Sequence, residues 1–364
     1  MTHKQHDQLQ WSLGILAIFL VIFANTANDG FFEFVRKPTA LLFYPKLIFS
    51  IVVAAGGNLL LMLLGAAQLA RPRSTWSMQF NLILRLIIGI LLGSVGYYTY
   101  NLLVTGNLRH FQLINLIQMV VQGPVSGYAP LYAIVSFLIS LPILRLIATQ
   151  ADFAIMRYIF WLQLIFIGMF PIVIFFTGIS NIDLALPLAI ESGLFYPLMG
   201  YWLTNTTLIK QLTREALLVA WLLSAVAFAV MISVSLYQAN LEKNITILTN
   251  QAFTQTFQAI PCLTVFTTMV VHVLNRSEPT AFNRFKQSWV QSFYGILLVA
   301  GILFIPLRLV LTVLAPWIGL FGGSVIWTVT TMVASYVVTI VLRRFKHLRR
   351  WLPSLFTALD QEVR

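Results

Sequence analysis

Charged side chains are scarce in this sequence. Only 9% of its 364 residues are Asp, Glu, Lys or Arg, and 59% are hydrophobic. A soluble domain carries about 25% charged residues. A surface with so few charges is unsuited to water, so the composition argues against a soluble globular protein. It predicts an integral membrane protein.

Cysteine and the signatures of soluble enzymes are also missing. The one cysteine, Cys262, lies inside an apolar segment. It can form no intrachain disulfide, and we expect it to be a small buried hydrophobic residue. The sequence has no Walker loop, dinucleotide fingerprint, zinc-ligand spacing or Gly-X-Ser-X-Gly elbow. No metal site is therefore predicted.

Acidic residues are fewer than basic ones: the sequence has 11 Asp and Glu and 23 Lys and Arg, which gives a net charge of +12. A nucleic-acid-binding protein concentrates its bases on one face or stripe. Here the bases form short clusters between apolar runs, as in a membrane protein oriented by the positive-inside rule. We therefore expect the lipid bilayer as a partner and no nucleic acid.

Long apolar runs are what the sequence has in abundance. The first contains no charge from Leu13 to Ala24, and a cleaved signal peptide is the competing interpretation. Lys4 is the only strong base in front of this run, so a membrane span is favoured. Ten segments are long enough to cross a bilayer. They are residues 11–28, 46–69, 79–104, 128–148, 155–177, 184–207, 215–237, 251–274, 289–314 and 317–342.

The connections and the charges between these segments predict the topology. The last two segments touch at Ala315–Pro316, which predicts a tight outer hairpin. Residues 111–122 are too few to cross a bilayer, so they are predicted to form an interfacial or re-entrant segment. With ten spans, sixteen bases fall on the side of the two termini and five on the other. This split predicts cytoplasmic termini. The expected fold is an all-α polytopic membrane domain over residues 1–342, with a basic interfacial tail over residues 343–364.

Polar residues inside the spans are the candidate functional residues, because they are costly to insert into lipid. Asn25, Asp29, Glu191 and Arg308 are expected near the outer face, where they could share a cavity. Arg308 could instead reach to the interface. Toward the cytoplasm, Arg85, Arg145 and Arg73 could bind the phosphates of a nucleotide-type donor, since guanidinium pairs with phosphate in a bidentate manner. Arg73 could equally be a topology charge.

The order of these segments resembles the bacterial membrane-bound acyltransferase family 3. SLGILAIFLVIFAN at Ser12 is similar to the family's first helix, and QFNLILRLIIGILLG at Gln79 to its arginine-bearing third helix. Further similar stretches begin at Gly127, Gly193 and Val341. The resemblance implies transfer of an acyl group, with acetyl expected, from acyl-CoA to a glycan of the cell envelope. It also implies location in the bacterial cytoplasmic membrane, and other envelope-assembly proteins as further partners.

The sequence departs from the family at its functional positions. Gly14 and Asn25 stand where the first helix of the family carries an arginine and a histidine, and of two arginines in helix 3 only Arg85 is present. Asparagine cannot act as a general base. Glu191 is therefore the candidate base, and Asn25 the candidate hydrogen-bond donor to the oxyanion.

Three interpretations remain open. The first is an active acyltransferase with the residues named above. The second is a relative that has kept the fold and lost the chemistry, and that acts as a partner or as an exporter of a lipid-linked glycan. The third is a secondary transporter of unrelated fold, which would be expected to show inverted repeats and broken helices.

Overall fold

The computed structural model describes residues 3–28, 43–70, 76–104, 112–122, 128–150, 152–178, 192–205, 209, 212–242, 253–275, 284–345, 348 and 351–355. Within these ranges every regular element is a helix. The helices are α1 His3–Asn28, α2 Phe43–Gln68, α3 Trp76–Val104, α4 Leu113–Gln122, α5 Ala129–Gln150, α6 Phe153–Gln163, α7 Phe170–Thr177, α8 Ser192–Asn205, α9 Arg214–Glu242, α10 Ala259–Asn275, α11 Arg284–Leu303 and α12 Arg308–Arg344. A π-helical turn, Leu164–Met169, joins α6 to α7.

Among the described residues, seven helical stretches are long and apolar enough to cross a membrane. They lie in α1, α2, α3, α5, the continuous α6–α7 stretch, α9 and α12. The other three predicted spans contain α8, α10 and α11. Of these, α8 has 14 described residues and α10 has 17, both short for a bilayer crossing. The all-helical class is confirmed for the described residues, and seven of their stretches are suited to a membrane. The count of ten spans and the cytoplasmic termini remain predictions.

The chain divides into two compact units. The first consists of Met1–Leu20, Phe31–Ala70 and Ser140–Phe282, and the second of Val21–Gly30, Arg71–Ile139 and Asn283–Arg364. The first unit therefore holds α2 and α6 to α10. The second holds α3, α4, α11 and α12, while α1 and α5 contribute one part to each.

The first unit is organised around a crossing of α2 and α8. A Cβ atom added to Gly65 would overlap the backbone oxygen of Pro197, and one added to Gly200 would overlap that of Met62. Along α2, Met62 contacts Gly200 and the later Gly65 contacts the earlier Pro197. The two helices therefore run antiparallel. Small residues permit such backbone approach, which is how helices pack where lipid supplies no hydrophobic drive.

The second unit packs α3 against α11 through tyrosines. Tyr294 of α11 donates a hydrogen bond to the backbone oxygen of Leu86 at 2.7 Å. Tyr128, which precedes α5, donates to the backbone oxygen of Leu298 at 2.9 Å. Both side chains are almost fully buried. Each hydroxyl thus finds a partner inside the protein, as a buried tyrosine requires.

The break between the last two predicted spans does not lie at Ala315–Pro316, where the hairpin was predicted. The helix passes through Pro316, and the break lies at Gly319, where φ is 77° and ψ is 166°. Only glycine adopts this backbone region readily. Leu311 lies against Gly323, and the ring of Phe304 stacks on Trp327 with centroids 6.0 Å apart. The turn boundary read from the sequence is therefore wrong, because glycine and not proline makes the break.

The described part of the basic tail packs against the second unit. Leu352 and Leu355 are buried. A Cβ atom on Gly89 of α3 would lie 3.0 Å from the backbone oxygen of Trp351. Residues 351–355 are therefore held by protein contacts in addition to any contact with lipid headgroups.

Candidate functional site

Asn25 lines a small crevice inside the second unit. Helix α1 positions it, and the crevice is closed by apolar residues of α1, of α11 and of the turn that follows α11. Its volume is about 10 Å³, and about 10–15 Å³ is needed to hold one water molecule. The residues that line it besides Asn25 are Val21, Ile22, Leu297, Ala300, Gly301 and Phe304.

The amide of Asn25 is held by its own helix. Its Nδ2 donates to the backbone oxygen of Val21 at 2.9 Å. An asparagine amide carries two hydrogens, so one donation remains for a molecule in the crevice. One residue on, Thr26 is fully buried and its hydroxyl is hydrogen-bonded to that of Thr328 on α12. This inter-helix contact fixes the end of α1 and therefore the direction of the amide.

Of the other residues predicted for the outer cavity, Arg308 is the one that the structure describes. Arg308 begins α12, is exposed, and is absent from the crevice lining. Glu191 and Asp29 lie outside the described residues. The predicted meeting of Glu191 with Asn25 and Arg308 therefore stays a prediction.

Two of the three predicted donor-binding arginines are described, one in each unit. Arg85 is half-buried on α3 in the second unit, between the buried Leu82 and Leu86. Arg145 belongs to the first unit and is 8% exposed. Arg73 lies outside the described residues. A common phosphate site of the three arginines stays a prediction.

Arg145 has a role that its position in the sequence did not reveal. Its Nη2 donates to the backbone oxygen of Gln68 at 3.1 Å, and α2 ends at Gln68. The last carbonyls of a helix lack intrahelical partners and carry partial negative charge, so a guanidinium stabilises them. Arg145 thus caps α2 and ties α5 to it.

We expect Arg145→Lys to lower the stability of the purified protein by about 1 kcal/mol, because a lysine ammonium lacks the rigid, planar donor group of arginine. The matched control is Arg157→Lys on α6, an exposed arginine that lies 5.8 Å from the ring of Phe153. Thermal unfolding in detergent measures both. Equal melting temperatures for the two variants would contradict the capping role.

A second and much larger cavity lies in the first unit, and sequence reasoning missed it. Its volume is about 580 Å³, within the range of about 300–1,000 Å³ typical of ligand sites. It is lined by side chains of α1, α2, α9 and α10, and by Gln258 just before α10. Ala55, Ala225 and Ala229 leave the room for it. The two alanines spaced by four on α9 were the only signal in the sequence.

The polar groups in the wall of this cavity already have protein partners. The Ser224 hydroxyl donates to that of Thr264 at 2.8 Å. The Gln258 amide donates to the backbone oxygen of Ile51 and accepts from Asn58. Cys262 is 1% exposed, which confirms its interpretation as a buried hydrophobic residue. The wall is therefore apolar in effect.

Within the part of the chain that the structure describes, no three His, Cys, Asp or Glu side chains are grouped so that they could hold a metal ion. In the described residues the geometry defines an all-helical arrangement with helices suited to a membrane, a crevice of about 10 Å³ at Asn25 and a large apolar cavity. No family model matches the chain, and neither a curated protein nor a solved structure matches it.

Proposed function

We propose that the protein is an integral membrane acyltransferase of the bacterial cytoplasmic membrane, which transfers an acyl group from acyl-CoA to a glycan of the cell envelope. The observation that carries the proposal is that Asn25, at the position of the family's histidine, lines an internal crevice and has a free amide hydrogen. A polar side chain without a function would be expected at a less costly place.

In the proposed reaction a glycan hydroxyl oxygen attacks the thioester carbonyl carbon. The carbon–sulfur bond breaks, and coenzyme A leaves as the thiolate. Glu191 takes the hydroxyl proton and passes it to the leaving thiolate. Asn25 donates a hydrogen bond to the carbonyl oxygen as negative charge develops on it. We assign Arg85, Arg145 and Arg73 to the donor phosphates on the cytoplasmic side. We assign Arg308 and Asp29 to the outer side as partners of the site.

A non-catalytic role is the second candidate, as a partner or an exporter in the assembly of a glycan. The observation that favours it is the chemistry of the crevice around Asn25. None of the described residues that line this crevice has a titratable side chain. Asparagine itself takes up no proton near neutral pH. If Glu191 does not reach the substrate, proton transfer has no acceptor there.

A deletion strain tests the proposal when it is complemented with single variants. We expect deletion to abolish O-acylation of envelope glycan, measured by NMR of the isolated polymer. Glu191→Gln and Asn25→Ala should each lower acylation, by about tenfold or more, because a base and an oxyanion donor act mainly on the transition state. Arg85→Ala should weaken use of the donor.

Asn205→Ala provides the matched control for Asn25→Ala. Asn205 also donates to the backbone oxygen four residues earlier, that of Tyr201, at 2.9 Å, but it is exposed at the end of α8. We expect full acylation from this variant. Loss of acylation on deletion with normal acylation in the Glu191, Asn25 and Arg85 variants would reject the site. Normal acylation on deletion with reduced glycan export would favour the second candidate.

A further inference from the structure

The large cavity of the first unit has a wall that selects its occupant. Of the sixteen residues that line it, none is charged. The hydroxyl of Ser224 and the amide of Gln258 are hydrogen-bonded within the protein. Water in a cavity needs two to four polar partners, and apolar cavities without them stay dry. This wall therefore suits a hydrocarbon occupant.

The position of the cavity shows where such a hydrocarbon would come from. Ala225 and Ala229 in the wall are exposed, and so are their neighbours Leu222, Leu223 and Val226 on α9. This helix contains one of the candidate membrane spans, and only 22% of its most apolar window is buried in the protein. The cavity therefore opens at a helix surface that faces lipid in a membrane.

We propose that this cavity binds one fatty acyl chain of a bilayer phospholipid. Its volume of about 580 Å³ is about four times that of the engineered 150 Å³ cavity that holds benzene. The volume thus has room for an acyl chain, whereas a headgroup would find no charged side chain in the wall. Phospholipid is the most abundant hydrocarbon around a membrane span, so mass action favours it. This inference is independent of acyl transfer at Asn25.

The bound chain completes the packing of the first unit. Trp221 donates its indole N–H to Thr268 at 3.2 Å, and Ser224 bonds Thr264, so α9 and α10 are joined along this face. Ile51 and Leu59 of α2 form another part of the wall. An acyl chain among these residues supplies the dispersion contacts that an empty cavity would lack.

The test is photocrosslinking of the full-length protein in vesicles of phosphatidylethanolamine and phosphatidylglycerol, with a phospholipid that carries a diazirine near the end of one acyl chain. Peptide mass spectrometry locates the adducts. We expect adducts on the wall segments around Ala229 and Cys262 in the wild type. Ala229→Trp places an indole inside the cavity, where it blocks an acyl chain, and should lose them. Ala225→Leu, a milder change, should reduce them.

Two controls keep the result interpretable. Ala216→Trp places the same indole at an exposed position outside the cavity, near the start of α9, and should retain the wall adducts. Adducts at the exposed Ile139, Ile143 and Leu146 of α5 report on general lipid contact and folding, and should be equal in all variants. Wall adducts that persist in Ala229→Trp, or that are absent from the wild type, would overturn the proposal. If excess polyprenyl phosphate displaced the diazirine phospholipid from the cavity and excess unlabelled phospholipid did not, the phospholipid assignment would be overturned.

Discussion

Gly65→Ala and Gly200→Ala are each expected to destabilise the first unit by about 3 kcal/mol or more. The reason is the crossing of α2 and α8, where each added methyl group would overlap a backbone carbonyl of the other helix. A backbone cannot rotate away as the end of a side chain can, so the helices would have to separate. Thermal unfolding in detergent, together with the yield of monodisperse protein, measures the effect.

The same two helices offer matched controls. A Cβ atom on Gly57 of α2 or on Gly193 of α8 would meet nothing within 4 Å. In these variants alanine also gains helix propensity over glycine, by up to about 1 kcal/mol. Gly57→Ala and Gly193→Ala should therefore be neutral or stabilising. If Gly65→Ala behaved like Gly57→Ala, the close crossing would not exist in the folded protein.

This crossing marks the limit of what the sequence could predict about the fold. Apolar length indicated helices in all ten regions, and α2 and α9 were placed to within a few residues. The partner of each helix was not predictable, because lipid tails are as apolar as leucine and hydropathy does not distinguish a protein neighbour from lipid. Gly65 and Pro197 are 132 positions apart, and nothing local in the sequence indicates that they meet.

The candidate site was predictable in part, for a related reason. The cost of a polar group in lipid indicated Asn25 as a candidate site residue, and Asn25 lines the small crevice of the second unit. For Arg145 the sequence indicated a phosphate-binding candidate toward the cytoplasm and did not indicate its partner in the structure, which is the end of α2. The apolar cavity left almost no trace, because residues that line a dry cavity are of the same types as residues that face lipid. Glu191, Asp29 and Arg73 fall outside the described residues.

In the second unit, a double-mutant cycle at Tyr128 should separate two contacts of one side chain. A Cβ atom on Gly93 would lie 2.6 Å from the Tyr128 hydroxyl, and one on Gly301 would overlap the edge of the ring. Gly93→Ala and Gly301→Ala should each cost about 2 kcal/mol by overpacking. Tyr128→Phe should cost about 1 kcal/mol, because it removes the hydrogen bond to Leu298.

The two double variants that contain Tyr128→Phe distinguish the hydroxyl contact from the ring contact. Tyr128→Phe removes the atom that Gly93→Ala would strike, so this double variant should be less damaged than the sum of the two, by about 1 kcal/mol. Tyr128→Phe leaves the ring in place, so its combination with Gly301→Ala should be additive. Unfolding of the five variants in detergent measures both couplings. Equal coupling in the two pairs would mean that Tyr128 does not lie between α3 and α11 with its hydroxyl toward Gly93.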